Sequence, residues 1–172
     1  MGDPMPDNHS ECSAVTISEA LLEAYAAAHY RIEVGAEALV LTIGEVLGVH
    51  PALPVVRRVA IVTACNPFSE QLDPAENAKR QEALVGLVEA VGLTWLPASG
   101  VDPRGEWPSE PSLAVCDPTD VQLDHWMELF GQNAVVVAER GGLAALRLRP
   151  GHINSGTQEA DSAPSGLETV RA

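Results

Sequence analysis

The chain has 172 residues and a formal net charge of −14, and 46% of its residues are hydrophobic while only 4% are aromatic. This length and composition predict one folded domain whose core consists mainly of Ala, Val and Leu. With 10 basic residues against 24 acidic ones, the chain has no basic stripe for a nucleic-acid backbone and is disfavoured at an anionic membrane surface. We therefore expect neither nucleic acid nor a membrane as a partner.

Both ends of the chain have the composition of disordered tails. Residues 1–16 and 151–172 are rich in Gly, Ser, Pro and acidic residues and lack apolar periodicity, so a single α+β domain is predicted at residues 17–150. The first segment has neither the basic region nor the apolar region of a secretory signal. The three cysteines are far apart, which suits a reducing compartment. A cytoplasmic location is the expectation.

The first predicted elements are a helix and a β-hairpin. Ser18 is a good N-cap, and the apolar residues that follow it share one helical face. Residues 30–34 and 39–43 alternate in polarity around a turn that begins at Gly35. A connection rich in Gly and Pro, residues 44–54, ends this unit.

A central strand and a helix are predicted next. Residues 59–64 form a continuous apolar run, which is typical of a strand that is buried on both faces. Residues 73–76 combine an N-cap, a proline and an acidic residue, and this predicts a helix that ends near Val91. Short strands are predicted at residues 95–96 and 112–116.

The last predicted elements complete a regular order. Residues 119–122 form a capping box, and Gly131 is typical of a helix end. Strands are predicted at residues 134–139 and 143–148. From residue 59 onward the order is β-α-β-β-α-β, which predicts a ferredoxin-like core with a mixed or antiparallel sheet and its helices on one face.

This order brings polar residues from three separate stretches to one edge of the sheet. The end of the first core strand, the start of its helix, the loop over residues 100–112 and the start of the last core strand are all expected there. The helix residues Asn77 and Arg80 are in register with the apolar face of their helix. The predicted ligand-binding residues are Asn66, Asn77, Arg80, Asp102, Trp107, Glu110, Ser112, Gln132 and Asn133.

The residue types at this edge favour a polar ligand. The guanidinium of Arg80 is suited to a carboxylate or phosphate, and the amides can read hydrogen-bonding edges. Trp107 lies in a loop that is longer than a hairpin needs, and we expect it to form a wall or lid. The alternative is structural: Asn66 and Asn133 cap strand ends, Arg80 pairs with Glu76 or Glu110, and Trp107 covers the core.

Standard catalytic motifs are missing from the sequence. There is no Walker, Rossmann, nucleophile-elbow or zincin motif, and the Cys and His spacing does not fit zinc, so no metal or cofactor is predicted and catalytic residues remain unknown. Cys65 lies between a strand and a helix and is conceivable as a nucleophile, although a buried, inert thiol is the commoner fate of a free cysteine. Asp102 and Glu110 are a weak candidate for an acid and base pair.

The motifs at this edge resemble those of a bacterial family, the domain of unknown function DUF3293. The matching pieces are residues 25–30, 63–67 with Ser69, 76–77 with Arg80, Gly100 with Asp102, Pro103 and Trp107, 110–112, and 130–134. The resemblance covers about residues 21–148. It implies no established activity, and because the family pattern usually has Trp at the position of Cys65, it argues against a thiol nucleophile.

The sequence is compatible with two functions, each typical of a different class of protein. The first is a small-molecule binding module, or an unassigned enzyme, whose pocket holds a polar and anionic ligand such as a nucleotide-like molecule or a metabolite. The second is a protein-interaction or scaffold domain in which the polar cluster is structural and an acidic surface or sheet edge meets a protein partner. A homo-oligomer remains open. A concave pocket favours the first, and complete mutual hydrogen bonding favours the second.

Overall fold

The computed structural model describes residues 15–48 and 56–154. Within these residues the chain is an α+β protein, which confirms the predicted class. A short 3₁₀ turn at Pro67–Ser69 lies between the fourth strand and the second helix. The elements in chain order are β1 (Val15–Ile17), α1 (Glu19–Ala27), β2 (His29–Val34), β3 (Glu37–Leu41), β4 (Arg58–Val62), α2 (Pro74–Ala90), β5 (Trp95–Val101), β6 (Glu110–Cys116), α3 (Asp120–Phe130), β7 (Ala134–Glu139), β8 (Ala144–Leu148) and β9 (His152–Asn154).

Seven of the described strands form one sheet in the order β3-β2-β5-β6-β4-β7-β8. Every neighbouring pair in this sheet is antiparallel. Because β6 lies between β4 and β5, those two strands run in the same direction although they are not neighbours. The predicted hairpin, here β2 and β3, adds to this sheet through pairing of β2 with β5.

The register places the predicted polar stretches at one edge. Val62 at the end of β4 pairs with Leu113 near the start of β6, and Ile61 pairs with Val136 near the start of β7. On the other side of β6, Glu110 pairs with Gly100 at the end of β5. The end of β4, the start of α2, the β5–β6 loop and the start of β7 therefore meet, as the sequence predicted.

The two faces of the sheet carry separate cores. Along β4, Ala60 and Val62 face the cluster that α2 and α3 cover, whereas Val59 and Ile61 face the opposite cluster, as the period of two along a strand requires. Leu84 of α2 is fully buried on the helical side. Helices α2 and α3 thus share one face of the sheet.

The other face is concave because the sheet curls. After β3 the chain reaches β8: Gly44 N donates to Ala144 O at 2.8 Å, and Ala144 N donates to Glu45 O at 2.8 Å. The two edges of the sheet therefore approach each other, and side chains from β2, β3, β4, β6, β7 and β8 pack together on the inner face. Helix α1 lies against the open end of this inner face.

The helix boundaries follow from local capping, and they confirm the predicted signals. The side chains of Ser18 and Asp73 accept from the backbone N–H groups of Leu21 and Ala75 at the starts of α1 and α2. Thr119 forms the predicted capping box with Gln122 at the start of α3. Each of these helices therefore begins where its sequence predicts.

The predicted strand lengths and tails need correction. Strand β5 extends from Trp95 to Val101, past the predicted residues 95–96, because it pairs with β6 on one side and with β2 on the other. The predicted loop over residues 100–112 is therefore shorter. Val15–Ile17 pairs in parallel with His152–Asn154, so parts of both predicted tails form strands. The other tail residues and part of the 44–54 connection lie outside the described residues.

None of the helices in the described ranges combines the length and the hydropathy that crossing a membrane requires.

Candidate functional site

The chain leaves β4 through a tight turn in which three residues other than glycine have a left-handed backbone. The φ angle is 47° at Asn66, 54° at Phe68 and 62° at Ser69. Side chains other than glycine rarely adopt this region, which costs on the order of 1–2 kcal/mol per residue, and asparagine tolerates it better than most. Contacts from the surrounding elements must therefore hold the turn in place.

Asn66 and Asn77 are joined by two hydrogen bonds at this turn. Asn77 Oδ1 accepts from the backbone N of Asn66 at 2.9 Å, and Asn77 Nδ2 donates to Asn66 Oδ1 at 2.8 Å. Asn66 Oδ1 also accepts from Leu72 N at 3.1 Å. Asn66 Nδ2 donates in turn to Glu110 Oε2 at 2.7 Å. These bonds join the end of β4 to α2 and to the start of β6.

Arg80 extends the same set of contacts with main-chain partners. Its Nε donates to Ala64 O at 2.7 Å, and its Nη2 donates to Phe130 O at 2.6 Å. The guanidinium also lies 5.7 Å from the centre of the Phe130 ring. Arg80 points inward from α2, as predicted, but it bonds the carbonyls at the ends of β4 and α3.

Glutamines complete the arrangement. Gln132 Nε2 donates to Cys65 O at 2.7 Å, and Gln81 Oε1 accepts from Ala64 N at 3.0 Å. Gln81 was not among the predicted residues, although its spacing of four residues from Asn77 put it on the same helical face. Asn133 Nδ2 donates to Ser69 Oγ at 3.2 Å. We call these side chains the polar network: Asn66, Asn77, Arg80, Gln81, Gln132 and Asn133.

A cavity of about 210 Å³ lies next to the polar network, between α1 and the inner face of the curled sheet. Leu21 and Ala24 of α1 form one side, and Ile61, Val136 and Leu146 of the sheet form the other. We call it the α1 cavity. Its polar and aromatic lining includes Tyr25, Tyr30, Thr63, Asn66, Ser69, Gln71, Asp102, Trp107, Glu110, Ser112 and Gln132.

Both tyrosines of the chain line the α1 cavity, and neither was predicted as a site residue. The hydroxyl of Tyr30 donates to Tyr25 O at 3.0 Å, and burial raises the pKa of this hydroxyl. Tyr25 Oη lies 3.4 Å from Ser69 Oγ. The signal that could have found them is their presence in the motif over residues 25–30, in a chain with few aromatic residues.

Glu110 is the carboxylate at the centre of the site. Burial raises its pKa, while hydrogen bonds from the side chains of Asn66 and Thr63 act in the opposite direction. The dominant effect is burial, because both of these donors are neutral. Ser112, two residues along β6, is buried and donates from Oγ to Glu110 O at 3.3 Å.

The loop between β5 and β6 provides one wall of the α1 cavity. Asp102 Oδ1 accepts from Arg104 N at 2.9 Å, and Asp102 Oδ2 accepts from Glu106 N at 2.9 Å. These backbone donors lower the pKa of Asp102, so its carboxylate is engaged in shaping the loop. Trp107 lines the cavity while half of its surface remains exposed.

Cys65 does not have the surroundings of a nucleophile. It is buried at 1% exposure, and burial raises the pKa of its thiol despite the neighbouring Thr63 hydroxyl and the Arg80 charge. The thiol is therefore protonated near neutral pH. Within the described residues, no group of three or more His, Cys, Asp or Glu could hold a metal ion.

A second, open cavity of about 820 Å³ lies on the α2 side of the Asn66 and Glu110 pair. Asn77, Cys65 and Gln81 line it. Gln81 Nε2 is buried there and has no hydrogen-bond partner within the described part of the chain. This cavity shares Asn66 and Glu110 with the α1 cavity, so the pair forms a partition between the two spaces.

The predicted residues thus divide into three groups by position. Asn77 lines only the second cavity, while Arg80 and Asn133 line neither. The six that line the α1 cavity are Asn66, Asp102, Trp107, Glu110, Ser112 and Gln132.

Fold and site together define an α+β protein with a cavity of about 210 Å³ beside a network of partly buried hydrogen bonds. In a comparison with protein families, residues 62–135 match the family described as protein of unknown function, DUF3293. This match supports the resemblance that the motifs indicated. The matched segment contains the polar network and Glu110 but not Tyr25 and Tyr30. No curated protein and no solved structure matches the chain.

Proposed function

We propose that this protein binds a small molecule in the α1 cavity. The observation that carries the proposal is a concave space of about 210 Å³ that is lined by one partly buried carboxylate, Glu110, and by several hydroxyl and amide groups. Ligand sites combine an apolar wall with a few placed polar groups in this way. A cavity of about 150 Å³ is already large enough for a benzene ring.

Binding is favoured over catalysis by the state of the groups around Glu110. The Tyr30 hydroxyl donates to a main-chain carbonyl, and burial raises its pKa, so it stays protonated near neutral pH and is a poor general acid. The Cys65 thiol is also neutral, because burial raises its pKa. The proposal is therefore a binding module, with Glu110 and Trp107 as the residues that contact the ligand.

The proposed ligand differs from the anionic one that the sequence favoured. Arg80 was the predicted cationic partner, but it lies outside the cavity lining and donates to Ala64 O and Phe130 O. The described lining of the α1 cavity includes Asp102 and Glu110 and no Lys, Arg or His. These contacts support a ligand that donates hydrogen bonds.

A variant that fills the α1 cavity tests the proposal. Ala24 of α1 lines the cavity, whereas Ala26 of the same helix is exposed and does not. In a thermal-shift screen of small metabolites we expect ligands that raise the melting temperature of the wild type and of Ala26→Phe, because a ligand that binds only the folded state stabilises it. Ala24→Phe should lose the shift while remaining folded. A shift that persists in Ala24→Phe would place the ligand elsewhere.

The second candidate function is a scaffold for protein interactions, and a specific observation favours it. Arg80, Asn77 and Gln132 all hydrogen-bond the main chain, which is what a purely structural cluster would do. If no small molecule shifts the melting temperature of the wild type, the binding proposal fails and the scaffold function is favoured.

The order of the strands supports the ferredoxin-like topology that the sequence predicted. We propose that β4, α2, β5, β6, α3 and β7 form a ferredoxin-like unit. The strand order β5-β6-β4-β7, with all neighbours antiparallel and both helices on one face, supports this topology. Helix α1 and strands β2, β3 and β8 then add the walls that create the cavity.

A further inference from the structure

We infer that the ligand of the α1 cavity presents a protonated amine, or a related cationic N–H group, to Glu110. This inference rests on the proposed function and specifies the chemistry of its ligand. The charge of the cavity lining supports this ligand. Asp102 and Glu110 are the acidic residues of the described cavity lining, and that lining contains no basic residue. Asp102 already accepts from two backbone N–H groups in its own loop. Glu110 is therefore the acceptor that a ligand would meet.

Among the described residues, no cationic side chain is paired with Glu110. Asn66 Nδ2 donates to Glu110 Oε2 at 2.7 Å, whereas the neighbouring Thr63 hydroxyl donates to Pro111 O at 2.8 Å. Both side chains are neutral. A carboxylate withdrawn from water is costly unless an opposite charge accompanies it. A ligand cation would supply that charge at the one position in the cavity that lacks it.

The aromatic lining fits the same ligand. Both tyrosines of the chain and one of its three tryptophans, Trp107, line a single cavity, although aromatic residues make up only 4% of the chain. The faces of such rings attract cations, and this attraction is strongest where water is excluded. Tyr25, Tyr30 and Trp107 therefore favour an amine over a carboxylate in this space. The net charge of −14 also raises the local concentration of cations.

Three probes of matched size test the inference: phenethylamine, 2-phenylethanol and 3-phenylpropanoate. Their dissociation constants are measured from backbone amide shifts in NMR titrations near neutral pH. For the wild type, we expect the amine to bind at least about tenfold more tightly than the alcohol, because a charge-assisted hydrogen bond forms. The carboxylate should bind most weakly. This comparison needs no variant, so it does not depend on the folding of any mutant.

Glu110→Gln identifies the responsible group, since it keeps the shape and an oxygen acceptor for Asn66 but removes the charge. We expect the preference for the amine over the alcohol to fall to within about twofold, while the alcohol still binds. Glu106→Gln is the matched control. Glu106 lies in the same loop but is exposed and outside the cavity lining. That variant should retain the wild-type preference.

The outcomes separate this inference from the proposed function. An amine that binds no better than the alcohol, with shifts still confined to the cavity residues Tyr25 and Ser112, overturns the cationic ligand and leaves the binding function standing. Persistence of the preference in Glu110→Gln also overturns it. Tighter binding of the carboxylate restores the anionic ligand that the sequence indicated. Absence of cavity shifts with all three probes overturns the binding function itself.

Discussion

Two neighbouring regions of the molecule, the polar network and the α1 cavity, use polar side chains in opposite ways. In the polar network, Asn77 and Arg80 make hydrogen bonds of 2.6–2.9 Å with the side chain of Asn66 and with main-chain N–H and carbonyl groups. In the α1 cavity, Glu110 and Trp107 face a space that the protein leaves open. Asn66 contacts both regions, because it bonds Asn77 on one side and Glu110 on the other.

The difference shows why a cluster of polar residues does not by itself indicate a ligand. The turn after β4 has no strand to satisfy its main chain, so side chains must satisfy the amide and carbonyl of Ala64 and the carbonyl of Cys65. Such residues are needed whether or not anything binds. The binding proposal rests instead on the adjoining cavity, whose described lining contains no basic residue to pair with the negative charge of Glu110.

Removing Arg80 should give the largest effect and tests the structural side of this comparison. Arg80→Ala removes the described donor to Ala64 O and the shorter of the two described donors to Phe130 O, so we expect the free energy of unfolding to fall by about 2–4 kcal/mol. Urea denaturation followed by circular dichroism measures it. Below the transition, the affinity for phenethylamine should stay within about twofold of the wild type, because a residue outside the cavity lining does not contact the ligand.

Lys79→Ala is the control for Arg80→Ala. Lys79 is the exposed neighbour of Arg80 on α2, so its loss should change the unfolding free energy by less than about 0.5 kcal/mol. The comparison between the two regions would break if Arg80→Ala kept full stability and lost ligand binding. Arg80 would then be a ligand-binding residue, as the sequence first suggested.

A smaller loss is expected at Gly131, which fixes the contact between α3 and the turn after β4. Its φ angle is 66°, and an added Cβ would lie 3.0 Å from both Phe68 Cε2 and Pro67 Cβ. Gly131→Ala should therefore lower the unfolding free energy by about 1–3 kcal/mol through backbone strain and crowding. Thermal and urea denaturation measure it.

Gly86→Ala is a matched substitution with the opposite expected sign. Gly86 lies inside α2, and an added Cβ there meets nothing within 4 Å. Replacing a glycine inside a helix by alanine stabilises it by roughly 0.5–1 kcal/mol. If Gly131→Ala behaved like Gly86→Ala, the turn would tolerate movement and would not hold the polar network in place.

The local parts of the fold could be predicted from the sequence, and the long-range parts could not. The caps at Ser18, Asp73 and Thr119 depend on a few adjacent residues, so their patterns locate the helix starts. The length of β5 was underestimated because Pro97 and Gly100 are typical of loops. Pairing with β6 on one side and β2 on the other overrides that preference.

The sequence predicted where the candidate site residues lie but only partly which groups they contact. The inward direction of Arg80 follows from its spacing along α2, but its partners depend on which carbonyls the end of β4 leaves unpaired, and no sequence pattern records that. The α1 cavity was missed for a similar reason. Tyr25 and Tyr30 precede the predicted core, and they reach it only because β2 pairs with β5 and the sheet curls.

The smallest effect expected is the pH dependence that Glu110 gives to folding. Burial raises its pKa in the folded state above the ordinary value of 4.5. Between the unfolded and folded pKa values, the folded protein binds more protons than the unfolded one, so stability falls as pH rises through that interval. The stabilising contribution of protonated Glu110 is complete below the unfolded pKa. It is lost above the folded one.

Glu110→Gln cannot ionise at this position and should not show that decline. The melting temperature of the variant minus that of the wild type should therefore rise as pH increases from below 4.5 and level off above the folded pKa. Glu106→Gln controls for the loss of one negative charge from an acidic chain. Saturating phenethylamine should reduce the difference by stabilising the ionised carboxylate in the wild type. A difference that does not change with pH would mean that the contributions of Asn66 and Thr63 fully offset the effect of burial on the pKa of Glu110. The ionised carboxylate would then be stable in the folded protein without a cationic ligand.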